Sequence, residues 1–509
     1  MLPPDREGVA ERAGASRWPW PSGAGTEVPL VVGLAVLAAV LRFASLSHQS
    51  YWLDESQAVH ELGLSFGAML HAWSADEWNP PLYLIVAWPW AKLFGTGELG
   101  LRALSALLGV AVVPLLYLSG RDLISARAGL MAALPAAVKP FLIWYSQGAR
   151  EYMLLGTLCA ASLWCFARAW RDPTGRRLLW WALLSGLALL TQYFAGFLVA
   201  AEGLALVYRA RSRASVIALG AMAVVLAPFV PHVLPRFQHA ATFITGVPLS
   251  ARLQELPVSF GLYPVYQNGA VAYGLLGAAA LAAAVIALLV VGAEDRELRG
   301  AGIAALLAAA VLIVPLLLAL IGHDDYIARG LLPGWLPLAL VVGAACAAPR
   351  ARAGGAILAL VLVAVFVYGQ AMTQSHARFQ KRDWRAVAAA LGRPAGRRAI
   401  VAFANQFATG PLSVYLRGVP WAGPGQAAQP TGPVTVGEVD VVGIAGDTVA
   451  RRGRNIRQIG SRAVDGYEVD RFALTPPWHL TLGVILQRAL GFLSPSVSDA
   501  SVILQGPER

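Results

Sequence analysis

Long apolar runs, broken by short polar stretches that carry arginine, set the pattern of this chain. Runs of helix length fall at 28–46, 101–119, 128–145, 152–170, 178–191, 193–208, 214–231, 270–292, 300–321, 331–348 and 354–372. About 20 apolar helical residues cross a bilayer's hydrocarbon core, so eleven spans are expected. With the N-terminus inside, every second break should be basic. Arg121 with Arg127, Arg168, Arg171, Arg176 and Arg177, then Arg209, Arg211 and Arg213, Arg296 with Arg299, and Arg350 with Arg352 occupy those breaks. One further apolar run, 80–96, would reverse all later loops if it crossed. It holds Trp88, Pro89, Trp90 and Lys92, which favour the interface, and is expected as an interfacial or re-entrant helix on the outer face.

Beyond residue 373 the pattern changes. Asp383 to Leu391 reads as an amphipathic helix, and Ala399–Ala404, Val439–Ile444 and Gly466–Leu474 read as strands. The Pro- and Gly-rich stretch Gly418–Gly437 between them is expected as a mobile surface loop. Trp478 to Leu493 fits a surface helix at the membrane, and the chain after Ser494 a loose tail. The organisation expected is a cytoplasmic tail over 1–27 and a membrane domain over 28–372 with a first outer loop at 47–100. An outer α/β domain follows over 373–475, then a membrane-proximal helix and tail over 476–509. The fold class is mainly α: a polytopic bundle of about 11 to 13 helices with a small α/β domain on one side.

Composition agrees, because 57% of residues are hydrophobic and only 14% charged, against about 25% charged in a soluble globule. The net charge of +11 sits mostly in the short breaks, so it reports topology and not nucleic-acid binding. Cys159, Cys165 and Cys346 lie in apolar runs without metal-ligand spacing, which gives neither a disulfide framework nor a zinc site. The run at 28–46 lacks a small-residue cleavage site and reads as a retained signal anchor. No internal repeat is evident, which weakens a transporter or flippase reading. Richness in Ala, Gly and Arg suits a high-GC bacterium and a multi-pass inner-membrane protein.

The chemistry-bearing residues gather on the outer side. Asp54 and Glu55 follow the first span closely, and two adjacent carboxylates suit one base and one supporting group, or oxygen ligands for Mg²⁺ or Mn²⁺. Arg150 and Arg329 are the phosphate-binding candidates, since a guanidinium matches phosphate geometry and stays charged. The bland alternatives are a helix N-terminus for the acids, an ion pair with Glu151 for Arg150, and an ordinary helix-end charge for Arg329. Arg102, close to Glu98, is expected to pair with it. His60, Tyr83, Tyr145, Gln147, Tyr193 and His323 are candidate site-lining residues, with His60 equally able to be a packed histidine. A base plus cations for a leaving phosphate is the equipment of sugar transfer from a lipid phosphate. A transporter or flippase, or a silent scaffold for the outer domain, is the alternative.

The ordered fragments Trp52-Leu53-Asp54-Glu55, Asn79-Pro80-Pro81-Leu82-Tyr83, Glu98 with Leu101 to Leu107, Tyr145-Ser146-Gln147-Gly148-Ala149-Arg150-Glu151-Tyr152, Tyr193-Phe194, Arg329 with Leu331-Leu332-Pro333, and Asp383-Trp384-Arg385 resemble the GT-C type polytopic glycosyltransferases, specifically the family 39-like superfamily of protein mannosyltransferases and aminoarabinose transferases. The resemblance implies a GT-C fold and an acidic pair at the catalytic centre of the first outer loop, with Asp54 as base or metal contact and Glu55 as its neighbour. It also implies a polyprenyl-phosphate-linked sugar as donor and a glycan, lipid or protein acceptor arriving from outside. This chain has Gly148 where the family's Ser-Gln-Glu-Ala-Arg pattern frequently carries Glu, so a carboxylate available there to a cation or acceptor is missing.

Overall fold

The computed structural model describes residues 27–507 apart from 77–78, 212, 232–241, 263–270, 404–405, 422–431, 445–454 and 491–499. The expected N-terminal tail, parts of the loop after residue 232 and half of Gly418–Gly437 (422–431) therefore lie outside the described residues, and Val434–Gly437, expected as loop, begin a β-strand. The membrane domain contains α1 (Glu27–Phe43), α2 (Leu53–Gly63), α3 (Phe66–Asp76), α4 (Leu82–Phe94), α5 (Glu98–Leu123), α6 (Ala126–Val138), α7 (Pro140–Ser146), α8 (Tyr152–Arg171), α9 (Gly175–Leu189), α10 (Ala195–Ala210), α11 (Arg213–Leu226), α12 (Leu249–Leu262), α13 (Val271–Gly292), α14 (Asp295–Leu320), α15 (Leu332–Ala347) and α16 (Arg352–Ser375).

Every one of the eleven expected runs coincides with helix. Among the described residues five helices are long and apolar enough to cross a membrane, or six if the bent pair α6–α7 counts as one span. The protein is thus a multi-pass membrane protein, with large apolar side chains such as Leu276, Val290, Leu306 and Leu360 facing outward. Its core runs through α5, α6, α8 and α15, where small residues let backbones approach. A Cβ on Gly120 of α5 would stand 2.6 Å from the Cα of Gly129 on α6.

The α6–α7 pair bends by 60°. Pro140 cannot donate an amide hydrogen, so the last carbonyls of α6 need other partners. Arg42 of α1, fully buried, supplies them: its guanidinium donates to the carbonyls of Ala136 and Ala137 at 3.1 and 2.9 Å and to Ser146 Oγ at 3.1 Å. A charge buried in the bundle is here a structural cap.

The 80–96 run forms α4, of 13 residues, about 20 Å long and short of a hydrocarbon core. Its first amide, Leu82 N–H, donates to the Leu190 carbonyl just past α9, and Trp90 donates to the Gly100 carbonyl at the start of α5. Both termini of α4 therefore meet the same end of the bundle. The helix lies along that end, as an interfacial or re-entrant segment would.

The C-terminal unit is a five-stranded sheet in the order β3-β4-β2-β1-β5. Its strands are β1 (Arg398–Phe403), β2 (Val434–Ile444), β3 (Ile456–Val464), β4 (Tyr467–Leu480) and β5 (Ala500–Gln505). Strands β1 and β2 pair in parallel, joined through helix α18 (Gln406–Tyr415), and all other pairs are antiparallel. Alternating side chains sort to the two faces. Ile400 and Ala402 pack with α17 (Trp384–Leu391) and α18, whereas Ala399 and Val401 share a cluster with Leu482 and Ile485 of α19 (Leu482–Leu490).

Three expectations need correction here. Helix α19 is shorter than Trp478–Leu493, because Trp478 to Leu480 complete β4. The tail beyond Ser494 is not loose throughout: Ala500 to Gln505 form β5, paired along its length with β1. The α/β unit accordingly extends to Gln505 and not to residue 475. Helix α18 and strands β3 and β5 escaped the sequence reading. Arg398, fully buried, ties the unit together by donating to Asp440 Oδ2 at 2.8 Å, Gln505 Oε1 at 2.6 Å and the Leu391 carbonyl at 2.7 Å.

Candidate active site

The first loop after α1 places Tyr51 and Trp52 ahead of α2, whose opening turn carries Asp54 and Glu55. Acids are favoured there by the helix dipole. Being adjacent on a helix, the two carboxylates diverge by about 100°. Glu55 points into the bundle and Asp54 toward the α14–α15 turn.

Glu55 is fully buried. Its Oε1 accepts from Arg102 Nε at 2.8 Å and from the Ala149 amide at 2.9 Å, and its Oε2 accepts from Arg102 Nη2 at 2.8 Å and Lys381 Nζ at 3.0 Å. Burial alone would raise its pKa, but the cations of Arg102 and Lys381 outweigh it and hold the carboxyl down at about 2. Arg102 does not pair with Glu98 as expected. Its remaining hydrogens go to the carbonyls of Leu46, Gln49 and Ser50, which fixes the first loop against α5. Glu98 is the nearer carboxylate along the chain, but tertiary packing pairs Arg102 with the more buried Glu55.

Lys381, in the link between α16 and the α/β unit, was not singled out from sequence. Its side chain is 6% exposed and also donates to the Gln147 carbonyl at 3.2 Å. Burial lowers its pKa to about 8 even though Glu55 pulls upward. The available signal was one of the chain's three lysines, next to Arg382 between a span and a folded unit.

Asp54 differs from its neighbour. Its carboxylate is 24% exposed, and Oδ2 lies 3.2 Å from Nη1 of Arg329, itself 22% exposed, on the α14–α15 turn. Burial works against the Arg329 charge, and Tyr152 and Asp54 more than offset it. Arg150 Nη1 reaches the backbone carbonyl of Asp54 at 3.4 Å, while its Nε pairs with Glu151 Oε2 at 2.9 Å. Asn79 donates to the other Glu151 oxygen at 2.9 Å. The four charged candidates Asp54, Glu55, Arg150 and Arg329 are thus brought together at one end of the bundle from three separate stretches of chain.

The lining candidates divide. Tyr145 is buried against Tyr152 and Phe141 near Arg329. Tyr83 is buried, with Arg150 and Glu151 in its electrostatic surroundings. Gln147 donates to Ser45 Oγ at 2.9 Å and to the carbonyls of Leu41 and Arg42, so its side chain staples α7 to the end of α1 instead of meeting Asp54. His60 stacks on Trp421 with ring centroids 4.9 Å apart, and burial lowers its pKa. It is a packed histidine. His323 is exposed, whereas its neighbour Asp324 forms an ion pair with Arg252. Tyr193 is half-buried in the α9–α10 turn.

A divalent cation on the acidic pair fits poorly. Both Glu55 oxygens are saturated by cationic donors, Asp54 faces Arg329, and the described residues contain no group of three His, Cys, Asp or Glu able to hold a metal.

Residues 78–234 match the family model described as dolichyl-phosphate-mannose-protein mannosyltransferase. The crystal structure of apo ArnT from Cupriavidus metallidurans superposes with a TM-score of 0.51 at 15% identity, over 88% of this chain and 98% of that one. The Archaeoglobus fulgidus oligosaccharyltransferase with Zn and sulfate aligns over 70% of this chain and 54% of its own, at 16% identity and a TM-score of 0.42. The Saccharomyces cerevisiae Pmt1–Pmt2 complex bound to its sugar donor aligns over 42% and 34%, at 22% identity and 0.33. No curated protein matches by sequence. The resemblance to the GT-C type membrane glycosyltransferases read from the motifs agrees with two of these findings: the chain shares the fold of ArnT, and residues 78–234 are similar to the mannosyltransferase family.

Proposed function

We propose that this enzyme is an inverting glycosyltransferase that moves a sugar from a polyprenyl-phosphate donor to an acceptor hydroxyl on the extracytoplasmic side of a bacterial inner membrane. The observation that carries the reading is the Asp54–Arg329 pair, half-open to solvent beside a fully neutralised Glu55. Asp54 takes the acceptor's hydroxyl proton as the acceptor oxygen bonds to the anomeric carbon. The bond from that carbon to the phosphate oxygen breaks on the opposite face, and its electron pair leaves with the phosphate. Arg329, with Arg150 beside the Asp54 backbone, meets the charge on the departing phosphate. A donor phosphate that draws Arg329 to itself also releases the Asp54 carboxylate for its role as base.

Glu55 is a positioning residue in this scheme, because its oxygens are committed to Arg102 and Lys381. No step is routed through a cation. The outer placement of the site is supported by the arginine-rich breaks at the other end of the bundle. The lipid-phosphate donor class is supported by the description of the matching family.

The test is incubation of the purified protein with radiolabelled polyprenyl-phosphate sugars and a cell-envelope extract. Labelled product with inverted anomeric configuration is expected from the parent protein and none from Asp54→Asn at equal expression. Donor crossing proteoliposome membranes without any product would overturn the enzyme reading in favour of transport.

A further inference from the structure

At the end of the bundle opposite the candidate site, the termini of α5, α8, α10 and α14 enclose a cleft of about 380 Å³. Arg171, Arg209, Arg296 and Arg299 line it together with Asp122 and Trp170. The one acid is already engaged: Asp122 accepts from Arg121 at 3.1 Å and from Trp164 Nε1 at 2.9 Å, and Arg171 stands 3.9 Å away. Arg209 and Arg296 form no hydrogen bond or ion pair with another described residue. Four guanidinium groups converge from three different helices on a space that one occupied carboxylate cannot neutralise.

We infer that this cleft binds the phosphate headgroup of an anionic phospholipid. Guanidinium groups match phosphate geometry, and basic pockets between span ends are where such headgroups are held. A lipid is favoured over free phosphate by what adjoins the cleft. Leu123 and Ile303 form its apolar floor, and the strongly exposed Leu306, two turns beyond Arg299 on the same face of α14, extends that floor as an apolar track for an acyl chain. Gly300 on the floor lets α14 close on α5, since a Cβ there would meet the Leu123 carbonyl at 2.7 Å. The cleft is therefore part of the packed bundle and keeps its shape. The site does not depend on the glycosyl-transfer reading.

The test uses the full-length protein purified in neutral detergent and titrated separately with phosphatidylglycerol, phosphatidylcholine and inorganic phosphate, reading protection against thermal unfolding. Phosphatidylglycerol is expected to protect and the other two are not. The double variant R209Q/R296Q is expected to need at least about tenfold more phosphatidylglycerol for half-maximal protection, and R171Q/R299Q to show the same loss. R176Q/R350Q, basic at the same end but outside the cleft, should match the parent. Equal protection of the cleft variants, an equal loss in R176Q/R350Q, or protection by inorganic phosphate at the same concentration would overturn the proposal.

Discussion

Two neighbouring carboxylates have been given opposite work by their surroundings. Glu55 sits fully buried between two cations, where removing one partner strands the others. Glu55→Gln is expected to cost about 3–5 kcal/mol, seen as a lower unfolding midpoint, whereas Asp54→Asn, at a partly exposed position, should leave that midpoint nearly unchanged. The Glu55 pKa is lowered from its ordinary 4.5 to about 2. Its stabilising contribution, on the order of 3 kcal/mol, is full above about pH 4.5 and is lost as pH falls toward 2. The acid-side decline in stability should therefore be shallower in Glu55→Gln than in the parent. Lys381 titrates at the other extreme. With a pKa near 8 it gives up its proton as pH rises through that value, and Glu55 then keeps Arg102 alone. An alkaline fall in kcat/KM centred near pH 8 is expected, and Lys381→Arg, which stays charged, should move that limb upward. An unchanged limb in the arginine variant would show that another group titrates.

The elements were legible to different degrees, for physical reasons. Membrane helices announce themselves because lipid demands continuous apolar sequence, and all eleven expected runs are helical. The placement of α4 needed both length and the interface-loving residues Trp88 and Trp90 to be weighed against parity. The edges of the α/β unit were hidden: β3 carries exposed Arg457, Gln458 and Arg462, and β5 follows a stretch without strand pattern. Nor does sequence reveal how this unit docks. Ser50 Oγ donates to the Arg382 carbonyl at 2.6 Å and accepts from the Trp384 amide at 2.9 Å. The Tyr51 amide donates to Tyr415 Oη at 2.6 Å, and that hydroxyl donates to Glu98. Arg385 adds an ion pair to Glu98 at 3.3 Å. The α/β unit thus grips the first loop next to the acidic pair. Tyr415→Phe is expected to cost about 1–2 kcal/mol and to speed hydrogen exchange of the α17 and α18 amides. Unaltered exchange there would mean that the docking contacts contribute little.

Across the whole molecule, charge is divided between the two ends. One end gathers Asp54, Arg150, Arg329 and the Glu55–Arg102–Lys381 cluster, and the other gathers Arg171, Arg209, Arg296 and Arg299 around the single acid Asp122. The gathering of Asp54, Glu55, Arg150 and Arg329 was legible in the sequence, because all four lie in breaks of the same parity. Which of them would touch was not. Arg329 meets Asp54 from 275 positions away, and Lys381 enters from beyond the last span, so the partners are fixed only by the packing of α2, α5, α8 and α15. The measurement that bears most directly on this arrangement is a single-turnover rate of sugar transfer, at saturating polyprenyl-phosphate sugar, for Asp54→Asn against the parent. A loss of at least about a hundredfold, within the range for removing a general base, is expected with donor binding intact. Transfer by Asp54→Asn at the parent rate would contradict the assignment of that carboxylate as the base.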